Sequence, residues 1–228
     1  MGFFNHYGNR NYRKFEEPEV SPYDHVITRR RRKPLDEAYI KRLPQSDRFV
    51  AIDFEFMDET SSSVCQIGAV LVENGKVIKT FDSLVNPPTK QQGYYQFKAH
   101  RIPIEKVQNA PTWPEVWKEV DEMIGNSPVV CFNVPSAERK GIDACGEYFG
   151  TRTDYDYIDA RDMAEIYFES KLTDVEPLRN YKLPVVCEAL EVPMRHHHTA
   201  IEDAYATAQV FLKLRELGSE EIWSTPCR

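Results

Sequence analysis

The chain has no uninterrupted apolar stretch approaching the roughly 18–20 residues that a membrane-spanning helix needs, so no membrane partner is expected. Residues 1–47 lack the apolar core of a secretory signal. The five cysteines, Cys65, Cys131, Cys145, Cys187 and Cys227, form no CxxC pair, and Cys65 and Cys131 fall in expected core strands. A reduced thiol there behaves as a small hydrophobe, which points to a reducing cytoplasm. No internal repeat or low-complexity segment stands out. Basic charge is also scarce, except at one end. Residues 1–48 hold 11 Lys/Arg against 7 Asp/Glu, about +4, including the run Arg29 to Lys33; the remainder holds 18 against 29, about −11. An acidic body argues against a strong, extended grip on duplex DNA, because backbone affinity comes mostly from Lys and Arg, but it does not exclude a nuclease, since bound metal ions offset acidic ligands locally.

What remains is 228 residues, enough for one α/β domain with a sizeable core and an extension. The organisation expected is a basic and aromatic extension over 1–47, a domain over 48–217 and a tail over 218–228. The extension, with Phe3, Phe4, Tyr7, Tyr12 and Phe15 among polar residues, has no clear period. It could be a phosphate-binding arm, a docking segment for a protein partner or a solvated linker.

The most informative residues are Asp53 and Glu55, two positions apart in the otherwise apolar run Phe49-Val50-Ala51-Ile52-Asp53-Phe54-Glu55-Phe56. In a strand they share a face, where two carboxylates repel each other and are costly to desolvate. A hard divalent cation such as Mg²⁺ or Mn²⁺ would relieve both problems. The bland alternative is a half-exposed strand with both acids solvated.

The far end of the chain shifts the balance. His196-His197-His198-Thr199-Ala200-Ile201-Glu202-Asp203 precedes a helical stripe of Ile201, Ala204, Ala208, Phe211 and Leu212 that runs to Leu217, with Gly218 as a stop signal. Thr199 and Glu202 have the spacing of a capping box, which puts His198 and Asp203 at the two positions that meet at a helix entrance. A neutral imidazole beside a metal-binding carboxylate is suited to taking a proton from water. A polar surface turn is the competing reading of the three histidines.

Several ordered motifs then resemble the DEDDh 3′–5′ exonucleases, related to the proofreading subunit of bacterial replicative DNA polymerase, over roughly Arg48 to Leu217. They are Asp53-Phe54-Glu55, Ser63 to Val70, Leu84 to Pro88, Asn180 to Leu183, and His198 with Asp203 in an H-x₄-D spacing. The resemblance implies an RNase H-like α/β fold, a mixed β-sheet flanked by helices on both faces. It implies two-metal hydrolysis with two Mg²⁺ or Mn²⁺ ions held by Asp53, Glu55, Asp203 and a fourth acid, and with His198 as general base. Phe54, Phe56, His100 and Asn133 would contact a single-stranded DNA or RNA 3′ end.

The fourth acid is where the sequence departs from the family pattern. Counting forward from Asn133 gives Ala137; counting back from the segment Ala144 to Gly150 gives Glu138. Helical phase does not choose between them. Glu138 is favoured because a one-residue loop insertion costs little, although its extra methylene shifts the carboxylate. Phe132 stands where the family usually has histidine. Both departures bear on activity rather than on fold.

Strands are expected at 48–56, 64–72, 76–84 and 128–133, with a short one at 155–159 and a hairpin turn at Glu73-Asn74-Gly75. Helices are expected at 36–43, around Trp113 to Ile124, from Glu138, and at 160–170, 182–190 and 199–217. The segment Thr89 to Phe97 reads as a loop whose Tyr94 and Tyr95 could stack on bases or cover the sheet edge. Two rivals accompany the exonuclease expectation. One is a catalytically weakened nucleic-acid or nucleotide-binding module with a docking arm. The other is an oligoribonuclease-like enzyme acting on short RNA.

Overall fold

The computed structural model describes Glu37, Ile40, Leu43 and residues 47–134, 137–194 and 197–224. The basic run, the aromatic N-terminus and Cys227 lie outside the described residues, as does His196. Five strands form one sheet in the order β3-β2-β1-β4-β5: β1 Arg48–Phe56, β2 Val64–Glu73, β3 Lys76–Leu84, β4 Val129–Cys131 and β5 Tyr157–Asp159. The first three are antiparallel neighbours, while β4 runs parallel to both β1 and β5. Asn74 and Gly75, both at positive φ, turn β2 into β3 between the paired Glu73 and Lys76, as a two-residue hairpin loop of this twist requires.

Because β1 is central, both of its faces are covered, which is why it reads as a nearly continuous apolar run. Phe49 and Ala51 enter a core with β2 residues Val70 and Val72. That core is closed by the helices α5 Ala160–Glu169, α6 Leu183–Ala189 and α7 Ala200–Leu217. Val50, Ile52 and Phe54 enter the opposite core, closed by α3 Trp113–Ile124 and α4 Glu138–Phe149. The expected mixed sheet with helices on both faces is therefore observed. Trp113 and Trp117 stack at 4.6 Å between ring centroids beneath Phe54, and the Thr112 N–H and hydroxyl each donate to Glu115 at 2.7 Å to start α3.

Four expectations change. The segment after β3 is not all loop: Tyr94–His100 forms helix α1, followed by a short α2 at Ile104–Val107. Its tyrosines do not cover the sheet edge, since Tyr94 and Tyr95 are exposed. The capping box of α7 is not made, because the Thr199 side chain forms no cap hydrogen bond. Gly218 does end α7, as expected, though at φ −88° rather than in a left-handed turn; glycine fits there because a Cβ would fall 1.8 Å from the Trp223 ring. The final helix, α8 at Glu220–Ser224, buries Ile222 and Trp223 against the α5–α7 core, so this part of the tail is docked.

Ile40 and Leu43 are also buried in that core. Glu37 and Ile40 are helical and Leu43 lies in a turn, its N–H donating to Ile40 O at 3.2 Å; the other residues of the expected helix lie outside the described residues. Cys65, Cys131, Cys145 and Cys187 are buried free thiols. No helix among the described residues is long and apolar enough to cross a membrane.

Candidate active site

Past the point where β1 needs apolar side chains on its α7 face, Asp53 and Glu55 replace them. Their cross-strand partners are Gly68 and Gln66. The absence of a side chain at Gly68 lets the first turn of α7 lie directly on the sheet; a Cβ there would come within 2.2 Å of the Ala200 carbonyl group and 2.3 Å of the Ile201 nitrogen. Gln66 is tied to β3 by its Nε2, which donates to Asp82 at 2.9 Å, and its Oε1 accepts from the Ala200 N–H at 3.4 Å. This docking brings Asp203, one turn into α7, to the strand acids. One carboxylate oxygen from each of Asp53, Glu55 and Asp203 lies within 4.8 Å of the others.

Glu138 is the first residue of α4, reached by the chain as it leaves β4 beside β1. It is only 3% exposed, and its carboxylate is hydrogen-bonded to Asp53. Ala137 is the N-cap of the helix and contributes no acid. Of the two positions left open by sequence counting, Glu138 is the one whose carboxylate reaches the cluster. Its stripe (Glu138, Ile142, Cys145) is the buried face of α4.

The electrostatics of this cluster are unfavourable as it stands. Burial, followed by repulsion from Glu138, Asp203 and Glu55, raises the Asp53 pKa well above the usual carboxylate range. Burial, then Asp203, pushes Glu55 up to about 8. Burial is also the main cause that lifts Glu138 to about 8, with Asp159 and Glu55 adding to it. Two hydrogen-bonded carboxylates must share a proton, and Glu138 Oε2 is buried with no hydrogen-bond partner. The oxygens of Asp53, Glu55 and Asp203, with the orphaned Glu138 oxygen on the neighbouring helix start, form a hard donor set that fits a divalent cation such as Mg²⁺ or Mn²⁺.

The histidines are arranged differently from the expectation. Asp203 itself organises the start of α7: its Oδ2 accepts the His198 backbone N–H at 2.9 Å, and His197 Nδ1 donates to both carboxylate oxygens at 3.1 Å. The imidazole directly bonded to Asp203 is therefore that of His197, and His198 reaches Asp203 through its backbone. His198 holds a positive φ of 68° and stacks its ring on His197 at 3.8 Å. Nitrogen atoms of both rings lie within 4.8 Å of an Asp203 oxygen. Although exposed overall, His198 is lowered to about 4 by the surrounding protein and then by His197, against the pull of Asp203. It is neutral at pH 7 and holds a lone pair.

The expected substrate contacts divide. Phe54 is 5% exposed inside the aromatic cluster with Trp113 and Trp117, on the face of β1 opposite the acids, and it offers no surface to a substrate. Phe56 is half-buried over Gly141 of α4. His100 is buried, with Nε2 donating to Phe56 O at 3.0 Å and Nδ1 accepting from the Ile102 N–H at 2.9 Å. Both of its ring nitrogens are thereby committed, and burial lowers its pKa. Asn133 takes a positive φ of 79°, with its N–H held by Asp159 at 3.0 Å. Phe132 packs half-buried against the α5–α7 core.

Asp159 itself is not part of the cluster. It accepts backbone N–H groups from Asn133, Val134, Arg161 and Asp162, fixing the β4–α4 loop and capping α5. Sequence reasoning gave no role to His197, Gln66 or Gly68. A glycine inside a strand pattern is a legible sign of close backbone approach, whereas nothing in three consecutive histidines says which ring turns inward.

Residues 50–211 match the RNase T family model, described as Exonuclease. The chain is 29% identical over 170 residues to a PolC-type DNA polymerase III of Caldanaerobacter subterraneus subsp. tengcongensis, an alignment covering 74% of this chain and 12% of the polymerase. It thus spans about an eighth of the length of that relative. A 3′-exonuclease solved for the 3′-end specific recognition of a histone mRNA stem-loop superposes with a TM-score of 0.62 at 17% identity, over 75% of this chain and 64% of that one. Exonuclease X in complex with 5′ overhanging duplex DNA superposes with a TM-score of 0.59 at 18% identity, over 77% and 97%. With the matched segment running from β1 through the acid-bearing α7, this chain belongs to the exonuclease family.

Proposed function

We propose that the protein is a metal-dependent 3′–5′ exonuclease that hydrolyses the terminal phosphodiester bond of single-stranded nucleic acid and releases nucleoside 5′-monophosphates. The observation that carries this reading is the buried Glu138 carboxylate, bonded to Asp53 on one side and orphaned at Oε2. Glu138 would supply the fourth acid, which supports a competent site over the weakened-module alternative.

Asp53, Glu55, Glu138 and Asp203 would hold a pair of Mg²⁺ or Mn²⁺ ions. Bound there, the ions would polarise the scissile phosphate and offset the charge that develops on the attacking and leaving oxygens. The remaining work falls to protein groups. His198, neutral and open to solvent, accepts a proton from the attacking water. His197 is the positioning residue: its Nδ1–H fixes the Asp203 carboxylate, and its ring backs His198. Asp159 holds Asn133 and Val134 at the exit of β4, on the way to Glu138, and Gln66 holds the start of the helix from which Asp203 projects. His100 braces the end of β1 through Phe56 O, while the half-buried Phe56 ring packs with Phe54 on the α3–α4 side of the sheet.

Product chemistry tests the reading. An unmodified oligonucleotide incubated with Mn²⁺ should yield nucleoside 5′-monophosphates from the first turnover, as resolved by chromatography. Nucleoside 3′-monophosphates or internal fragments as first products would refute it. DNA and RNA oligonucleotides of equal sequence, run in parallel, would separate a general exonuclease from an oligoribonuclease-like enzyme, since 2′-hydroxyl discrimination lies in contacts made only with substrate.

A further inference from the structure

Helix α1 is fastened to the end of the acid-bearing strand. At its start the Gly93 N–H donates to Met57 O at 2.8 Å, and at its end the His100 ring donates to Phe56 O at 3.0 Å. Gln92 Nε2 bonds Ile102 O at 2.8 Å, closing the segment on itself. Phe56 and Met57 are the two residues after Glu55, so the helix is mounted rigidly beside the carboxylates. Such fixed mounting is not needed for a surface loop, and it suits an element that must present side chains in a set position.

Those side chains are unusual for this molecule. Tyr94 is 66% and Tyr95 55% exposed, with ring centroids 5.4 Å apart at 76°. Among the described residues they are the only exposed large hydrophobics adjacent in sequence. Lys98 Nζ lies 5.2 Å above the Tyr94 ring. The surrounding segment also departs from the acidic body. Residues 85–112 carry four basic residues (Lys90, Lys98, Arg101 and Lys106, all exposed) against a single acid, Glu105; the rest of 49–228 carries 14 against 28. This exposed segment has a local excess of positive charge for a phosphate backbone, and it also presents two aromatic rings.

We infer that α1 is a stacking platform for a single-stranded nucleic acid, with Tyr94 and Tyr95 against bases upstream of the scissile bond and Lys98 and Arg101 against the intervening phosphates. Stacking on exposed aromatics tolerates any base, and flanking cations track the backbone. A folded duplex would not offer its base faces to such a pair, so the platform selects for unpaired strands. The inference rests on the exonuclease reading for the polarity of the bound strand but not for binding itself.

The test compares wild type with Tyr94→Ala/Tyr95→Ala and Tyr94→Phe/Tyr95→Phe. Fluorescence anisotropy reads the Kd for a labelled 12-mer oligothymidylate in Ca²⁺, and hydrolysis in Mn²⁺ reads KM on a 12-mer and on a dinucleotide. The alanine pair should weaken 12-mer binding by about tenfold or more, with the KM loss larger on the 12-mer than on the dinucleotide; the phenylalanine pair should restore both. Lys98→Ala should lower the salt slope of binding by about one. A Kd within twofold of wild type for the alanine pair, no rescue by phenylalanine, or no 12-mer binding by the wild type would overturn the platform. Tyrosine-dependent binding without any hydrolysis would uphold the platform and sink the exonuclease reading instead.

Discussion

Asp53→Asn is expected to reduce hydrolysis by about a thousandfold or more, comparable to or beyond the loss of one group that stabilises transition-state charge, while leaving the metal-free fold at least as stable as the parent. The two halves of this expectation share a cause. Asp53 sits among Glu55, Glu138 and Asp203, and their charges add to burial in disfavouring its ionisation. Such acids are useful only when a cation offsets them, and without one they oppose folding.

The sign of the pH dependence follows. Glu55 and Glu138 titrate at about 8 in the folded protein but near 4.3 when unfolded. As pH rises between those values the unfolded chain releases protons that the native state retains, so the contribution of these two groups to stability is fully present below about 4.3 and is lost as pH rises through about 8. Metal-free melting temperatures should therefore fall from pH 5 to pH 8, and added Mg²⁺ or Mn²⁺ should flatten the decline. Asparagine at position 53 removes one repelling charge and offers Glu138 an N–H, so the variant should melt higher than the parent at pH 8 without metal. Differential scanning fluorimetry across pH, beside a turnover assay, checks both halves. Unchanged turnover, or a metal-free variant that melts well below the parent at pH 8, would remove Asp53 from the proposed site.

The second large effect belongs to a residue with no side chain. Gly68→Ala places a methyl group 2.2 Å from the Ala200 carbonyl carbon and oxygen. The obstacle is backbone, so it cannot be relieved by a rotamer change. The first turn of α7 must lift from β2, which breaks the Gln66–Ala200 bond and moves Asp203 and His198 away from Asp53 and Glu55. Overpacking costs on the order of 1–3 kcal/mol, and more when backbone is involved. For a chain of this size about 3 kcal/mol lowers the melting temperature by roughly 6–12 °C. Activity should fall further than stability alone explains, because a displacement of about 1 Å costs on the order of a hundredfold in rate. A Gly68→Ala protein with parental melting temperature and turnover would show that α7 does not rest on Gly68 as described.

These two residues also mark the limits of reading the chain from sequence. The strand acids were legible because charge on an apolar strand is physically anomalous. The strands 48–56 and 76–84 and the helix at Trp113 were legible because hydrophobic period and turn chemistry agree there. Glu138 was legible only as one of two choices; adjacent residues at a helix start differ by about 100° in direction, and only packing of Ile142 and Cys145 fixes the phase. The entrance to α7 misled for a related reason. The Thr199–Glu202 spacing suits a capping box, but the Asp203 carboxylate takes the His198 N–H instead and turns His197 inward. Two polar devices compete for one helix start, and spacing alone does not rank them. The Phe54 ring is buried in the α3–α4 core by simple alternation, since a residue between two acids on a strand faces the other way.

The central claim is tested most directly by incubating a 5′-labelled single-stranded oligonucleotide with the protein in Mn²⁺, alongside a metal-free control. The expected result is a ladder that shortens one nucleotide at a time from the 3′ end, only when metal is present. An intact oligonucleotide in the presence of folded, metal-loaded protein, or shortening that persists without metal, would contradict it.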